Sequence, residues 1–206
     1  MKKLIALTAV LVALVSAASA AFDLSVFAPA VFNVTYDTEN KSGTIFPLDT
    51  ASYMANAMQT DNGNVVMCPS VYILDEETAV MALQLLYTAS KGCTAEDAVF
   101  LAGEKSYTFS GISVSIGTGV KEDGQIAEGF MIGFGVDAFP LLDYISKNQD
   151  GKVSVRLDGS QSKVDFILND TNTEGIRQFF DAYVQAGGLE QPAVNLEKFA
   201  NAVTVR

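Results

Sequence analysis

The longest apolar stretch after the first twenty residues runs from Asp75 to Gly92, DEETAVMALQLLYTASKG. Between Ala79 and Tyr87 only Gln84 is polar. Asp75, Glu76 and Glu77 stand at its start, where a helix dipole favours negative charge. Lys91 and Gly92 close it in the way a helix C-terminus closes. A segment apolar on nearly every side predicts a core helix, packed around most of its circumference. A shorter helix is predicted over Thr94–Ala102, with Thr94 as cap and Gly103 as stop.

Elsewhere the pattern alternates between strand and helix periods. Ala21–Tyr36 reads as extended with a break at Pro29, and residues 37–44 as a polar loop. Asp49 caps a short helix carrying Ala51, Met54, Ala55 and Met58 on one face. Asp61-Asn62-Gly63 is a turn signal, and Asn64–Leu74 a strand in which Pro69 marks an edge or a bulge. Pro140 opens a helix through Lys147. Val153, Val155 and Leu157, then Val164, Phe166 and Leu168, form the inward positions of a hairpin that turns at residues 158–161. Ile176, Phe179, Phe180, Tyr183 and Val184 follow helical spacing after a capping-box start, and Gly187-Gly188 ends that helix. Pro192–Val203 is a last amphipathic helix through Leu196, Phe199, Ala200 and Val203.

Residues 105–136 read as one long hairpin with arms Tyr107–Val120 and Ile126–Val136. Pairing Val120 with Ile126 sets Gly117 opposite Gly129 and Gly111 opposite Gly135. One face then carries Ile112, Val114, Ile116, Val120, Ile126, Phe130, Ile132, Phe134 and Val136, and is expected to be core. The other carries Gly111, Ser113, Ser115, Gly117, Gly119, Ala127, Gly129, Met131, Gly133 and Gly135. Glycine weakens a strand unless another backbone or a ligand must approach closely. The small-residue face is therefore expected to be covered, by one of the chain's own helices or by a ligand.

The mixed order of strands and helices, without regular βαβ alternation, predicts an α+β fold: an antiparallel sheet built from hairpins with several helices packed on it. Residues 1–20 have the layout of a signal peptide, two lysines, an apolar run and Ala18-Ser19-Ala20, which leaves 21–206 as a single domain. The expected location is outside the cytoplasm, periplasmic or secreted. The chain holds 13 basic and 24 acidic residues, and loss of Lys2 and Lys3 takes its net charge from −11 to −13. So acidic a surface argues against nucleic acid and anionic membrane surfaces as partners. With no histidine in the chain, Ser-His-Asp and Cys-His catalysis and the common zinc sites are excluded.

The two cysteines, Cys68 and Cys93, are expected to form a disulfide. A strand over 68–74 covers ~20 Å and a helix from Asp75 to Lys91 returns ~24 Å, which brings Cys93 back beside Cys68. Closing that loop is worth ~3.5 kcal/mol in the chain-entropy picture. Asp170, Asn172, Glu174 and Asp181 have the approximate spacing of a calcium loop, but a helix N-terminus explains the same residues better, so no metal and no cofactor is assigned. Ser160-Gln-Ser-Lys163 fits Ser-x-x-Lys but falls in a polar turn. The function expected is that of a non-enzymatic envelope module in bacteria, binding a protein or small ligand or serving a structural role. A small carboxylate-dependent hydrolase or carbohydrate-active enzyme is the alternative, and a small outer-membrane barrel the third reading.

Overall fold

The computed structural model describes residues 22–76, 78–110, 114–148, 151–190 and Phe199. Through its centre the period is that of strands. β1 (Phe32–Asp37) and β2 (Ser42–Pro47) form a hairpin. α1 (Thr50–Ala55) follows, with the Asp49 side chain accepting from the Ser52 N–H at 3.1 Å. β3 (Met58–Gln59) is a two-residue strand. β4 (Gly63–Asp75) and β5 (Thr78–Ala89) then pair along almost their whole length.

The expected core helix is therefore a correction: its residues form the end of β4, a turn and β5. The physical reason lies in burial. β5 is flanked by β4 on one side and by a later strand on the other, and most positions on both of its faces are buried. A strand buried on both faces shows a continuous apolar run, which periodicity cannot distinguish from a core helix. Alanine, leucine, methionine and glutamine favour helix by propensity, but the tertiary context prevails. The second expected helix is also a strand, β6 (Ala95–Ala102), with Ala98, Phe100 and Ala102 buried at every second position.

β7 (Lys105–Ser110), β8 (Val114–Val120) and β9 (Ile126–Phe134) follow. α2 (Phe139–Lys147), β10 (Val153–Gly159), β11 (Lys163–Ile167) and α3 (Asp170–Gln185) complete the sequence of elements. All strand pairs are antiparallel. The larger sheet has seven strands, in the order β1-β2-β4-β5-β9-β8 with β3 beside β4. The smaller has four, in the order β11-β10-β6-β7. Mixed α+β character is thus established, although there are two sheets where one was expected.

One face of the larger sheet shares an apolar core with the smaller sheet, α2 and α3. Met81, Leu83, Leu85 and Tyr87 of β5 join Phe100, Val155, Phe166, Leu142, Ile176 and Phe179 in it. This face is called inner below. α3 is anchored by two buried side chains: Tyr183 donates to the Ala79 carbonyl at 2.9 Å, and Asn172 donates to the Met67 carbonyl at 2.8 Å. The second bond fills a gap. On the flank of β4 away from β5, β3 pairs as far as Val65 and β2 begins at Val71. Pro69, which has no N–H to offer a ladder, lies in that interval, a local edge within a central strand.

The long hairpin over 105–136 is confirmed near its turn and corrected beyond it. Val120 pairs with Ile126 and Gly117 with Gly129, as the sequence predicts. The register then shifts between Ser115 and Gly117, so that Val114, and not Ser115, comes level with Met131. A one-residue slip of this kind reverses the faces of everything beyond it. β7 belongs to the other sheet, paired with β6. Gly111 and Ser113 lie outside the described residues, so their assignment to the small-residue face, and the pairing of Gly111 with Gly135, do too. Gly135 lies just past β9, at the entrance to a short 3-10 turn over Val136–Ala138. Val120 at the tip of the hairpin and Val136 in that turn are exposed, a correction to the core face expected of them.

Candidate functional site

The outer face of the larger sheet is built from the even-numbered positions of β4 and β5 and the odd-numbered positions of β9. Register arranges them in successive rungs: Ser70–Ala82–Gly133, then Cys68–Gln84–Met131, then Val66–Leu86–Gly129. The first rung is covered. Phe199 is buried, and its ring meets Tyr72 edge-on at 5.5 Å, with Val80, Ala82 and Met131 in the same cluster. A Cβ on Gly133 would come within 2.8 Å of the Phe199 ring. At the other end of the face, a Cβ on Gly119 would meet nothing within 4 Å. The small-residue face is thus closely packed at Gly133 and open at Gly119.

Between these ends lies a groove of about 480 Å³. Phe46, Tyr53, Met54, Val66, Leu86 and Gly129 line it, with Thr50, Cys68 and Gln84 as its polar members. Among the described residues that line it, none carries a formal charge. The Gln84 amide donates to the Tyr72 hydroxyl at 2.6 Å, and the Cys68 thiol turns toward its neighbour's carbonyl, Pro69 O, at 3.6 Å. Burial pushes the Cys68 thiol up to about 12, and burial raises the Tyr53 phenol to about 12 as well. Neither group is ionised near neutral pH, so the described lining of the groove is neutral. Its sequence signal was Gln84, the lone polar residue of the apolar run, which stands on the outer face because β5 is a strand.

The expected disulfide is a correction. Cys68 and Cys93 are both free thiols. Cys68 stands on the outer face, level with Gln84. Cys93 follows β5 and is bound through its backbone N–H to the carboxylate of Glu128, whose cross-strand partner is the inner-face residue Tyr87. The two thiols therefore belong to opposite faces of one sheet, which does not bring Cβ atoms within the ~4 Å that a disulfide needs. The geometric argument for the bridge depended on residues 75–91 returning as a helix. Alkylation of denatured, unreduced protein should add two labels per chain; none would restore the bridge.

Glu128 is the one acidic side chain among the described residues that is buried. It accepts from the N–H of Cys93 at 2.7 Å and from the N–H of Thr94 at 3.2 Å. Thr94 has φ +50°, a left-handed conformation uncommon for a β-branched residue. On the other side, Gln161 and Ser160 donate backbone N–H bonds to the carbonyls of Cys93 and Thr94, and the Ser162 hydroxyl donates to Gly92 O at 3.0 Å. The segment Gly92–Thr94, which carries the chain from the larger sheet to the smaller, is thus clamped between β9 and the β10–β11 turn. The Cys93 thiol donates to the Ser162 carbonyl at 3.3 Å, and burial pushes it up to about 11. A protonated, enclosed thiol of this kind is a packing group. Glu128 was legible as the only charge on the large-residue parity of its strand, between Ile126 and Phe130.

The calcium spacing is also resolved. Asp170, Asn172, Glu174 and Asp181 lie along α3, where eleven residues advance ~17 Å, so they do not enclose one ion. Asn172 is buried against β4, and Glu174 receives hydrogen bonds from Arg177 and Gln178. Asp181 accepts from the Ser146 hydroxyl at 2.9 Å. The Arg177 hydrogen bonds hold the Glu174 carboxyl below its ordinary value. The N-cap is Asn169, accepting from Asn172 N at 3.0 Å, two positions before Thr171, where the capping-box spacing of Thr171–Glu174 placed it. Among the described residues no three acidic or cysteine side chains gather as a metal site. Ser160 and Lys163 occupy a hairpin turn where Lys163 pairs with Asp158 at 2.8 Å, which gives the serine no activating base.

A larger depression of about 740 Å³ lies where β3 approaches the smaller sheet. Its lining includes Leu101, Ile167 and the exposed Arg156–Asp165 ion pair, whose Nε–Oδ1 distance is 2.8 Å. Among the described residues, no helix is long and apolar enough to cross a membrane. The chain matches no protein-family model, no curated protein and no solved structure.

Proposed function

We propose that the protein is an exported, non-enzymatic binding module of the bacterial envelope, and that the outer-face groove is its ligand site. The observation that carries this reading is the groove's lining: apolar and aromatic walls, a glycine in the floor, and no formal charge among the described residues. Concave sites with mostly apolar walls and a few fixed polar groups are the usual form of small-ligand pockets. The ligand that suits such a lining is an uncharged, apolar molecule or chain segment. It would be oriented by the Gln84 amide and the Thr50 hydroxyl. The enzymatic alternative needs a pair of carboxylates facing one cleft. Glu128, the buried acid, is instead occupied by two backbone N–H groups. The barrel reading fares less well too, because the inner face of the larger sheet packs into an apolar core, whereas barrel interiors are polar.

An uncharged, apolar fluorescent probe such as N-phenyl-1-naphthylamine should bind the folded protein saturably. Val66 is half-buried in the groove wall, with room beside it. The substitution Val66→Trp should fill the groove and weaken probe binding about tenfold, a cost of about 1.4 kcal/mol, with little change in melting temperature. Equal affinity in both proteins would remove the groove as the site.

A further inference from the structure

We propose that the outer edge of β11 is a docking site for an extended peptide segment of another protein, one that carries an apolar and a basic residue two positions apart. The site is independent of the outer-face groove. β11 ends the smaller sheet, and among the described residues it pairs with β10 alone. The Leu168 N–H donates to the Val153 carbonyl at 2.9 Å and the Gly159 N–H to the Ser162 carbonyl at 3.1 Å. The bonded pairs of this ladder therefore run through Val164, Phe166 and Leu168. Lys163, Asp165 and Ile167 turn their N–H and C=O groups away from β10, a row to which a further strand can bond. Their side chains stand on the face opposite the buried Val164 and Phe166. Ile167 shares its rung with Ser154 and Leu101, and the small serine between two exposed apolar residues gives the depression of about 740 Å³ its floor. Met58 and Gln59 of β3 wall it on the side of the larger sheet, and Asn169, whose amide donates to the Asn56 carbonyl at 2.6 Å, fixes the corner. An apolar side chain level with Ile167 enters that depression. Asp165 heads the next rung, where the Arg156 guanidinium donates to its two oxygens at 2.8 and 3.3 Å. Each oxygen keeps a further lone pair, so a lysine or arginine on the added strand completes an alternating row of charge. Lys163, paired with Asp158 on the following rung, calls for an acidic neighbour in the same way. A second copy of the chain does not meet these terms. The pairing that overlaps the whole strand would set Asp165 against itself and Lys163 against Ile167, so the charged edge selects against it.

The probe is a synthetic polythreonine peptide with valine, lysine and glutamate at successive alternate positions, the order that antiparallel addition sets against Ile167, Asp165 and Lys163. In the free protein, amide exchange followed by NMR should be fast at Asp165 and Ile167 and slow at Val164 and Phe166. Saturating peptide should slow the first pair about tenfold or more. The same peptide with lysine and glutamate exchanged should bind about tenfold more weakly. Ile167→Pro removes an outward N–H that the β10 ladder does not use, and Ile167→Lys keeps that N–H but puts a charge in the apolar seat. Each should weaken binding about tenfold and melt near the parent, while Val66→Trp should bind the peptide as the parent does. Slow exchange at Asp165 and Ile167 in the free protein would mean that the edge is already occupied, and overturns the site. If that protection rises with protein concentration, the occupant is a second copy instead. Exchange unchanged by peptide, equal affinity for the exchanged peptide, or parental affinity in both Ile167 variants overturns it as well. Loss of binding in Val66→Trp would place the peptide in the groove and remove it from the edge.

Discussion

Replacing Glu128 with leucine should lower the free energy of unfolding by about 3 kcal/mol, measured from the urea midpoint. The carboxylate is 4 % exposed and accepts from two consecutive backbone N–H groups, those of Cys93 and Thr94. Leucine keeps most of the volume and removes Oε2, the one oxygen that accepts from both. A buried donor left without a partner costs about 1–3 kcal/mol, and two are left here. Holding Thr94 at positive φ costs about 1–3 kcal/mol more, and that strain persists only while the carboxylate and the β10–β11 turn grip both sides of the segment. Glu128→Gln can set its amide oxygen where Oε2 stands and keep both bonds without the charge, so it should fall between the parent and the leucine variant. If the leucine variant melts with the parent, the clamp on Gly92–Thr94 contributes nothing to stability. The junction between the sheets would then be held by the apolar core alone.

How much of this could be read from the sequence depended on how local each signal was. Asp49, the alternation at Val153, Val155 and Leu157, and the stripe Ile176, Phe179, Phe180 and Tyr183 were correctly legible. In each case one face is wet and the other dry, so the pattern reports its own period. β5 was not legible, because burial on both faces erases the alternation that identifies a strand. That error carried the disulfide with it, since the helix was what returned Cys93 to Cys68. The hairpin shows the same limit at finer scale. Its turn fixed the register from Val120 to Gly117, but the shift beyond Gly117 is a tertiary adjustment with no local mark. The glycine positions pointed to the face on which the proposed groove lies. Phe46, Tyr53 and Val66 joined it only through the order of strands, which sequence spacing does not give.

Gly133→Val should destabilise the protein by about 2–3 kcal/mol, while Gly119→Val on the same face should be neutral or slightly stabilising. The two glycines lie on β9 and on its neighbour β8, and both have the outward parity read from the sequence. What differs is the cover. At Gly133 the first added carbon would already lie 2.8 and 3.0 Å from ring atoms of Phe199. Valine's further methyl groups would have to push that ring away from Tyr72 and Met131, in a cluster whose members are all buried. At Gly119 the space above the strand is open, and valine gains strand propensity without meeting anything. Thermal melts of the two variants side by side separate packing from propensity. Equal, small effects would mean that Phe199 does not press on Gly133 in solution. A loss at both positions would mean that the cover extends along the whole face, past the groove to the edge of the sheet. In the double variant Gly133→Val/Phe199→Ala, the clash should vanish and the two costs should fail to add, since they act through one contact. That non-additivity is the direct measure of how firmly the Phe199 ring is held on the outer face.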